Sequence, residues 1–303
     1  MSLNGAILVN KPVGLTSRDV VNQIKNKLPK GTKIGHTGTL DPMVDGLLIV
    51  VIGAATKLIN RLQAHRKTYI GEITFGFATS TEDLEGEVVE KKSVAQEIDG
   101  SHIVEAMKAL EGTIEQTPPL YSAVKVNGKH LYEYARNNEE IERPVRSVDI
   151  YHFLMTSESN YDSDEQTQSF NFEAEVSSGT YIRTLAYDLG KKMGYPATMT
   201  KLTRIDADGF SKDDSKDLDQ VINLIESDQI DSILLTVEDL IDEVKQYKLS
   251  SAEWQKVSNG NRLKLSSKST ELALVFDGYV KAIYQKNGEE FSAEVMLLDN
   301  GNN

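Results

Sequence analysis

The chain has 303 residues, a hydrophobic fraction of 39% and no cysteine, enough apolar material for a large domain and a smaller one. That composition excludes a wholly disordered chain, a disulfide framework and a thiolate metal site. No basic residue precedes Lys11, and the longest apolar run, Leu47 to Ile52, cannot span a bilayer, so a cytoplasmic protein without a signal peptide is expected.

The net charge of −13 argues against a nucleic-acid partner until its distribution is considered. Residues 1–70 hold ten Lys or Arg against Asp19, Asp41 and Asp45, a balance of +7, whereas residues 206–243 hold thirteen acidic residues against Lys212 and Lys216. An acidic linker beside an ordinary surface would produce this asymmetry. A basic N-terminal face for a polyanion would produce it too.

In chain order, AILVNKP predicts a short strand, and Thr16 or Ser17 can cap a helix whose apolar positions Val20, Val21, Ile24 and Leu28 recur with helical spacing. A Gly-rich loop is expected at 35–46. LLIVVIG then has the unbroken apolar pattern of a fully buried strand, and KTYIGEITFGFAT alternates like a half-buried one. Ala106, Met107 and Leu110 predict a second helix after Ser101, and QTPPLYSAVKVNGKHLYEYAR a turn, a short extended piece and a helix. Residues 147–155 and 168–177 flank the polar stretch TSESNYDSDEQT, which suggests a long hairpin with a mobile tip. Ile182, Leu185, Ala186, Leu189 and Met193 form one apolar helical face that Gly194 can end.

The acidic segment beyond Asp206 suggests a domain edge. After it, TVEDLIDEV predicts a short capped helix and ELALVFDGYVKAIY a hairpin turning at Asp277-Gly278. The expected architecture is α+β, with a mixed, mainly antiparallel sheet domain over 1–243 and a small β-rich module over 244–303.

Polar chemistry concentrates in KIGHTGTLDPMVDGLL, a loop between a basic helix and a buried strand. Asp41 precedes Pro42, which biases it toward an extended conformation; taken alone it suits an Asx-type turn. Its neighbours His36, Thr37, Gly38 and Thr39 raise a functional alternative, because the glycines permit close approach of a ligand to the backbone. A lone histidine such as His36 is more often a structural hydrogen-bonder. With no second histidine at ligand spacing and no cysteine, a metal site is not expected.

Tyr69 shares its face with Ile73, Phe75 and Phe77 by two-residue alternation, so it belongs to a core or offers a ring for a base to stack on. Arg183 falls in the first turn of its helix and off the apolar face, where a nearby carboxylate or phosphate, or simple solvation, would account for it. No GxGxxG sequence, P-loop or GxSxG elbow occurs, which counts against dinucleotide, nucleotide and acyl-transfer chemistry.

Five segments in register resemble the TruB family of pseudouridine synthases. LVNKPVGLTS looks like its opening motif, and GHTGTLDPMVDGLLIVVIGAATK like its catalytic one. KTYIGEITFG, TPPLYSAVKVNGKHLYEYAR and SSGTYIRTLAYDLG are similar to the segments carrying its tyrosine, its central motif and its arginine. The resemblance implies that Asp41 is the catalytic aspartate, Tyr69 contacts the flipped base, Arg183 pairs with the aspartate and His36 assists base extrusion. It makes Leu202 a residue of the uracil pocket and Tyr181 a pocket-edge aromatic. It also implies flanking helices, a central cleft across the sheet and a C-terminal PUA-like module for RNA binding. Two departures stand out: Ser80 where the family often has an acidic residue before the TxxDxxG pattern that Asp83 and Gly86 keep, and Thr203 where the family often continues its leucine with two arginines.

The implied activity converts one uridine in the T loop of tRNA to pseudouridine. The glycosidic bond breaks, the uracil turns over and the ring rejoins the ribose through carbon. No redox change or group donor enters, so no cofactor is expected, nor a metal or membrane, and a monomer is. The base must leave its stack at a cost of roughly a few kcal/mol. An aspartate suits either a nucleophile or an electrostatic partner for a cation developing on the sugar. Two rivals use parts of the same equipment: a tRNA-folding chaperone, which needs the basic face and not Asp41, and a glycosylase, which would release free uracil.

Overall fold

In the computed structural model, which describes residues 3–301, the N-terminal apolar run forms β1 (Gly5–Lys11) and leads into α1 (Ser17–Lys25). Thr16 caps α1 in a capping box: its hydroxyl accepts from the Asp19 amide, and the Asp19 carboxylate accepts from the Thr16 amide at 2.9 Å. Val20, Val21 and Ile24 are buried on the helix, and Leu28 just beyond its end. The expected Gly-rich loop is shorter than 35–46. Ile34–His36 is β2, antiparallel to β3 (Asp45–Ile52), so only 37–44 remains a loop. From Gly46 on β3 is wholly buried, and a 3-10 helix over Gly53–Leu58 leads from it into the single-turn helix α2 (Ile59–Leu62).

β4 (Lys67–Phe75) stops at Gly76, so Phe77 opens a separate strand, β5 (Phe77–Thr79), paired with β6 (Val88–Lys91). Helix α3 (Gly100–Lys108) starts before Ser101 rather than after it, and its cap is Asp99. The Asp99 carboxylate accepts from the Ser101 amide at 2.8 Å, and Leu110 lies past the helix end. β7 (Gly112–Gln116) and the tight hairpin β8 (Lys125–Val126) and β9 (Lys129–His130) precede α4 (Leu131–Arg136).

β10 (Arg146–Met155) and β12 (Thr167–Val176) form the expected long hairpin, but its polar connection contains β11 (Asn160–Asp162), which folds back onto β12. α5 (Ile182–Met193) ends at Gly194, φ +75°, as the sequence suggests, and runs into β13 (Ala197–Ala207) and β14 (Phe210–Ser211).

The acidic stretch is structured rather than a bare linker. It holds β15 (Lys216–Asp217) and α6 (Leu218–Glu226), which Asp217 caps and which buries Leu218, Val221 and Ile225 at helical spacing. TVEDLIDEV forms only a 3-10 turn over Asp239–Ile241, although Thr236 and Asp239 exchange capping bonds. Then come β16 (Gln246–Lys248), α7 (Ser251–Val257), β17 (Glu271–Phe276), β18 (Tyr279–Asn287) and β19 (Glu290–Met296). Asp277 and Gly278, both at positive φ, make the tight turn between β17 and β18.

The chain divides into two compact units. The first takes the described residues of Met1–Asp41, Leu47–Gln63 and Asp214–Asn303. Its strands lie in the order β15-β1-β3, with β2 on β3, and in a separate sheet β16-β17-β18-β19 over a core of Leu249, Val257, Leu272, Tyr284 and Phe291. The second takes Pro42–Gly46 and Ala64–Asp213, with strand order β13-β4-β12-β10-β7. Its pairings β13–β4, β4–β12, β12–β10 and β10–β7 are all antiparallel. Ile73, Phe75, Phe170, Phe172 and Ala174 are buried on one face, and α5 packs along β13 with Leu185, Ala186 and Leu189 buried. Full burial of each large apolar side chain stabilises the fold by about 1.5–3 kcal/mol before entropy is counted. Among the described residues, no helix is long and apolar enough to cross a membrane.

Candidate active site

In the first unit, the loop that ends at Asp41 is held from both directions. His36 pairs across β2 with Val50, and the Thr37 amide donates to Ile49 O at 3.1 Å. At the other end Ser17, 1% exposed on α1, uses its hydroxyl twice: it accepts from the Leu40 amide at 2.7 Å and donates to Leu40 O at 3.1 Å. The residue before Asp41 is therefore pinned to a capped helix. Lys11, fully buried, donates to Pro12 O at 2.8 Å and to Leu15 O at 2.6 Å, which ties down the turn that enters α1. Asp41 and His36 are half-buried.

In the second unit, Tyr69 is 8% exposed on β4, opposite Ala174 on one side and Arg204 on the other. Leu202, also 8% exposed, stands opposite Gly71. The sheet thus brings Tyr69 and Leu202 onto neighbouring strands. Two residues before Tyr69 on β4, Lys67 makes a buried ion pair, Nζ to Asp208 Oδ1 at 3.1 Å. Burial pushes the Lys67 ammonium down from its usual range, and Asp208 opposes that shift.

Arg183 and Tyr181 sit at the start of α5. Arg183 is buried despite lying off the apolar stripe, because Nη1 donates to Thr81 O at 2.8 Å and meets Asp83 Oδ2 at 3.4 Å, while Nη2 donates to Tyr121 O at 3.1 Å. Asp83 also accepts from the Glu85 amide at 3.0 Å and from the Thr81 hydroxyl, so the Ser80–Gly86 loop is a cradle for the guanidinium. Tyr181 is fixed by Gln116: its amide donates to Oε1 at 2.8 Å and its carbonyl accepts from Nε2 at 3.1 Å. Its ring packs against Val124, Leu131 and Tyr134. Glu82, next to the cradle, accepts from the Thr184 hydroxyl at 2.7 Å, and burial pushes its carboxyl above the usual range.

Sequence reasoning missed Ser17, Gln116 and Asp83 as the residues that orient Leu40, Tyr181 and Arg183. The TxxDxxG pattern was the one available signal, for Asp83. A cleft of about 890 Å³ in the second unit is lined by Ser80, Glu82, Glu139, Arg143 and Tyr187 among others, and none of the six candidate residues lines it. The basic balance of residues 1–70 is only partly a surface property. Lys11 and Lys67 are buried, and Arg61 is paired with Glu243, Glu271 and Glu294. Arg18, Lys25, Lys30 and Lys33 remain exposed.

The profile of the TruB family pseudouridylate synthase N-terminal domain matches residues 25–182, and that of the tRNA pseudouridylate synthase B C-terminal domain matches 183–242. The chain is similar to the tRNA pseudouridine synthase B of Lactobacillus johnsonii, 44% identical over 298 residues that cover 98% of this chain and 99% of that protein. The protein of that name from Limosilactobacillus reuteri is 45% identical over 285 residues, 93% of this chain and 94% of the relative. In a crystal structure of a Cbf5-Nop10-Gar1 complex, one chain shares the fold with a TM-score of 0.70 at 22% identity, over 98% of this chain and 86% of that one.

Proposed function

Because the chain belongs to the TruB family of pseudouridylate synthases, we propose that this tRNA pseudouridine synthase acts on the T arm and isomerises the T-loop uridine at tRNA position 55. The near-full-length similarity to proteins named tRNA pseudouridine synthase B carries this reading. The reaction is an isomerisation: the N-glycosidic bond breaks, the uracil rotates and a carbon–carbon bond forms to the same ribose carbon, with one proton lost from the attacking ring carbon and one gained by the ring nitrogen that has released the ribose. Asp41 is the group proposed to meet the electron-poor sugar, either by bonding to it or by its charge. Tyr69 offers a buried ring edge and a hydroxyl to the extruded base, and Arg183 a guanidinium oriented by the Thr81 and Tyr121 carbonyls. His36 is proposed to assist extrusion, and Leu202 and Tyr181 to line the base pocket.

The stretch from 244 onward is proposed as an accessory RNA-binding module, and the enzyme as a cytoplasmic monomer. The test is incubation with an unmodified T-arm stem-loop and mapping of pseudouridine by carbodiimide-dependent primer-extension stops. A single stop at the T-loop uridine is expected. Release of free uracil without a stop would mark a glycosylase, and refolding of tRNA with neither product would mark a chaperone.

A further inference from the structure

The five residues after Asp41, Pro42–Gly46, belong to the second unit, and β13 holds them there. Asp45 and Gly46 open β3 in parallel register with Thr203 and Arg204. Two contacts make that pairing specific. The Thr203 hydroxyl donates to the Asp45 carboxylate, a charge-assisted bond between residues far apart in the chain. Gly46, buried at φ +105°, lies so close to β13 that a Cβ there would stand 2.3 Å from Arg204 O and 2.7 Å from Arg204 N. The same strand pairs Arg204 with Tyr69 and Leu202 with Gly71. One strand therefore fixes both the segment leaving Asp41 and the strand that carries Tyr69.

We propose that Thr203 and Asp45 form a clamp that holds Pro42–Gly46, the segment leaving Asp41, in place for the isomerisation, so that both are positioning residues. Thr203 is where this chain departs from the double arginine of the family, and the clamp gives that departure a role: a hydroxyl, rather than a second guanidinium, meets Asp45. The proposal rests on the reading of Asp41 as the reacting group.

Single-turnover pseudouridine formation on the T-arm RNA, RNA affinity and thermal melting of the full chain test it. Thr203→Val keeps the shape of the side chain and removes the hydroxyl, and a small misplacement at a reacting centre slows chemistry by about ten- to a hundredfold. The expected result is a loss of that size in rate, with RNA affinity and melting temperature close to wild type. Thr203→Ser should restore the rate, and Asp45→Asn should fall between the two.

A Thr203→Val enzyme with wild-type turnover would sink the clamp, as would a loss that Thr203→Ser shares or that tracks RNA affinity. The reading beneath it fails separately, if wild-type protein forms no pseudouridine or if Asp41→Asn turns over normally.

Discussion

Arg183 illustrates how single residues set the chemistry. A cation in the first turn of a helix is opposed by the helix dipole, yet here the Tyr121 and Thr81 carbonyls, 62 and 102 positions away in the chain, and the Asp83 carboxylate receive it. Arg183→Lys keeps the charge and loses the planar fork, so it should lose its simultaneous hold on Thr81 O and Tyr121 O. Activity should fall by at least about tenfold, measured under single-turnover conditions on T-arm RNA.

Asp41→Asn should abolish turnover while leaving RNA affinity and melting temperature close to wild type. Parallel activity, binding and melting measurements separate that outcome from a purely structural aspartate, which would lose stability and keep partial activity.

Glu82 gives a pH prediction. Burial raises its folded-state pKa above the ordinary carboxylate value, so the folded state binds a proton that the unfolded chain releases. The stability linked to that proton is complete below the ordinary value and is lost as pH rises through the elevated one. Glu82→Gln stays neutral throughout and can still accept from Thr184. It should melt higher than wild type at neutral pH and alike below about pH 4.

At the level of elements, α1 has two functions that its sequence pattern merges. Val20, Val21 and Ile24 bury its apolar stripe, and the Thr16–Asp19 box starts it, while Ser17 faces inward and grips the Leu40 backbone. Ser17→Ala removes both bonds and leaves a buried amide and carbonyl without that partner, at a cost of about 1–3 kcal/mol. Thr16→Ala loses only the cap, about 1 kcal/mol. Chemical denaturation should rank the two in that order. Ser17→Ala should also slow turnover more than its stability loss explains, because Leu40 directly precedes Asp41.

For the whole molecule, a net charge of −13 does not preclude an RNA substrate, since its acidic excess is concentrated in 206–243 and much of its N-terminal basic charge is committed internally. Arg61 is spent on Glu243, Glu271 and Glu294 within the first unit, and Lys27 pairs with Glu226. The exposed Arg18, Lys25, Lys30 and Lys33 are the ones expected to meet phosphates. Replacing Lys25, Lys30 and Lys33 by Glu should weaken tRNA binding at low salt and flatten its salt dependence, lowering the log–log slope by about two to three. Titration of tRNA affinity against salt measures this directly. An unchanged slope would move the phosphate contacts elsewhere.

Periodicity alone determined most of the elements. The unbroken run of β3, the alternation of β4, the stripe of α5 ended by Gly194 and the Asp277-Gly278 turn all follow from local rules that a short window of sequence can express. It failed where a local rule had a close competitor, as with Asp99 against Ser101 at the start of α3. It failed also where charge masked a pattern, as in α6, whose buried Leu218, Val221 and Ile225 lie within an acidic run.

The motifs made Asp41, Tyr69 and Arg183 candidates, but the residues that orient their surroundings were beyond sequence reading. Ser17 reaches Leu40 across 23 positions, Gln116 reaches Tyr181 across 65 and Thr203 reaches Asp45 across 158. A hydrogen bond between distant positions leaves no periodic trace. Only the tertiary structure, by bringing those groups within about 3 Å of their partners, decided which polar side chains hold the site.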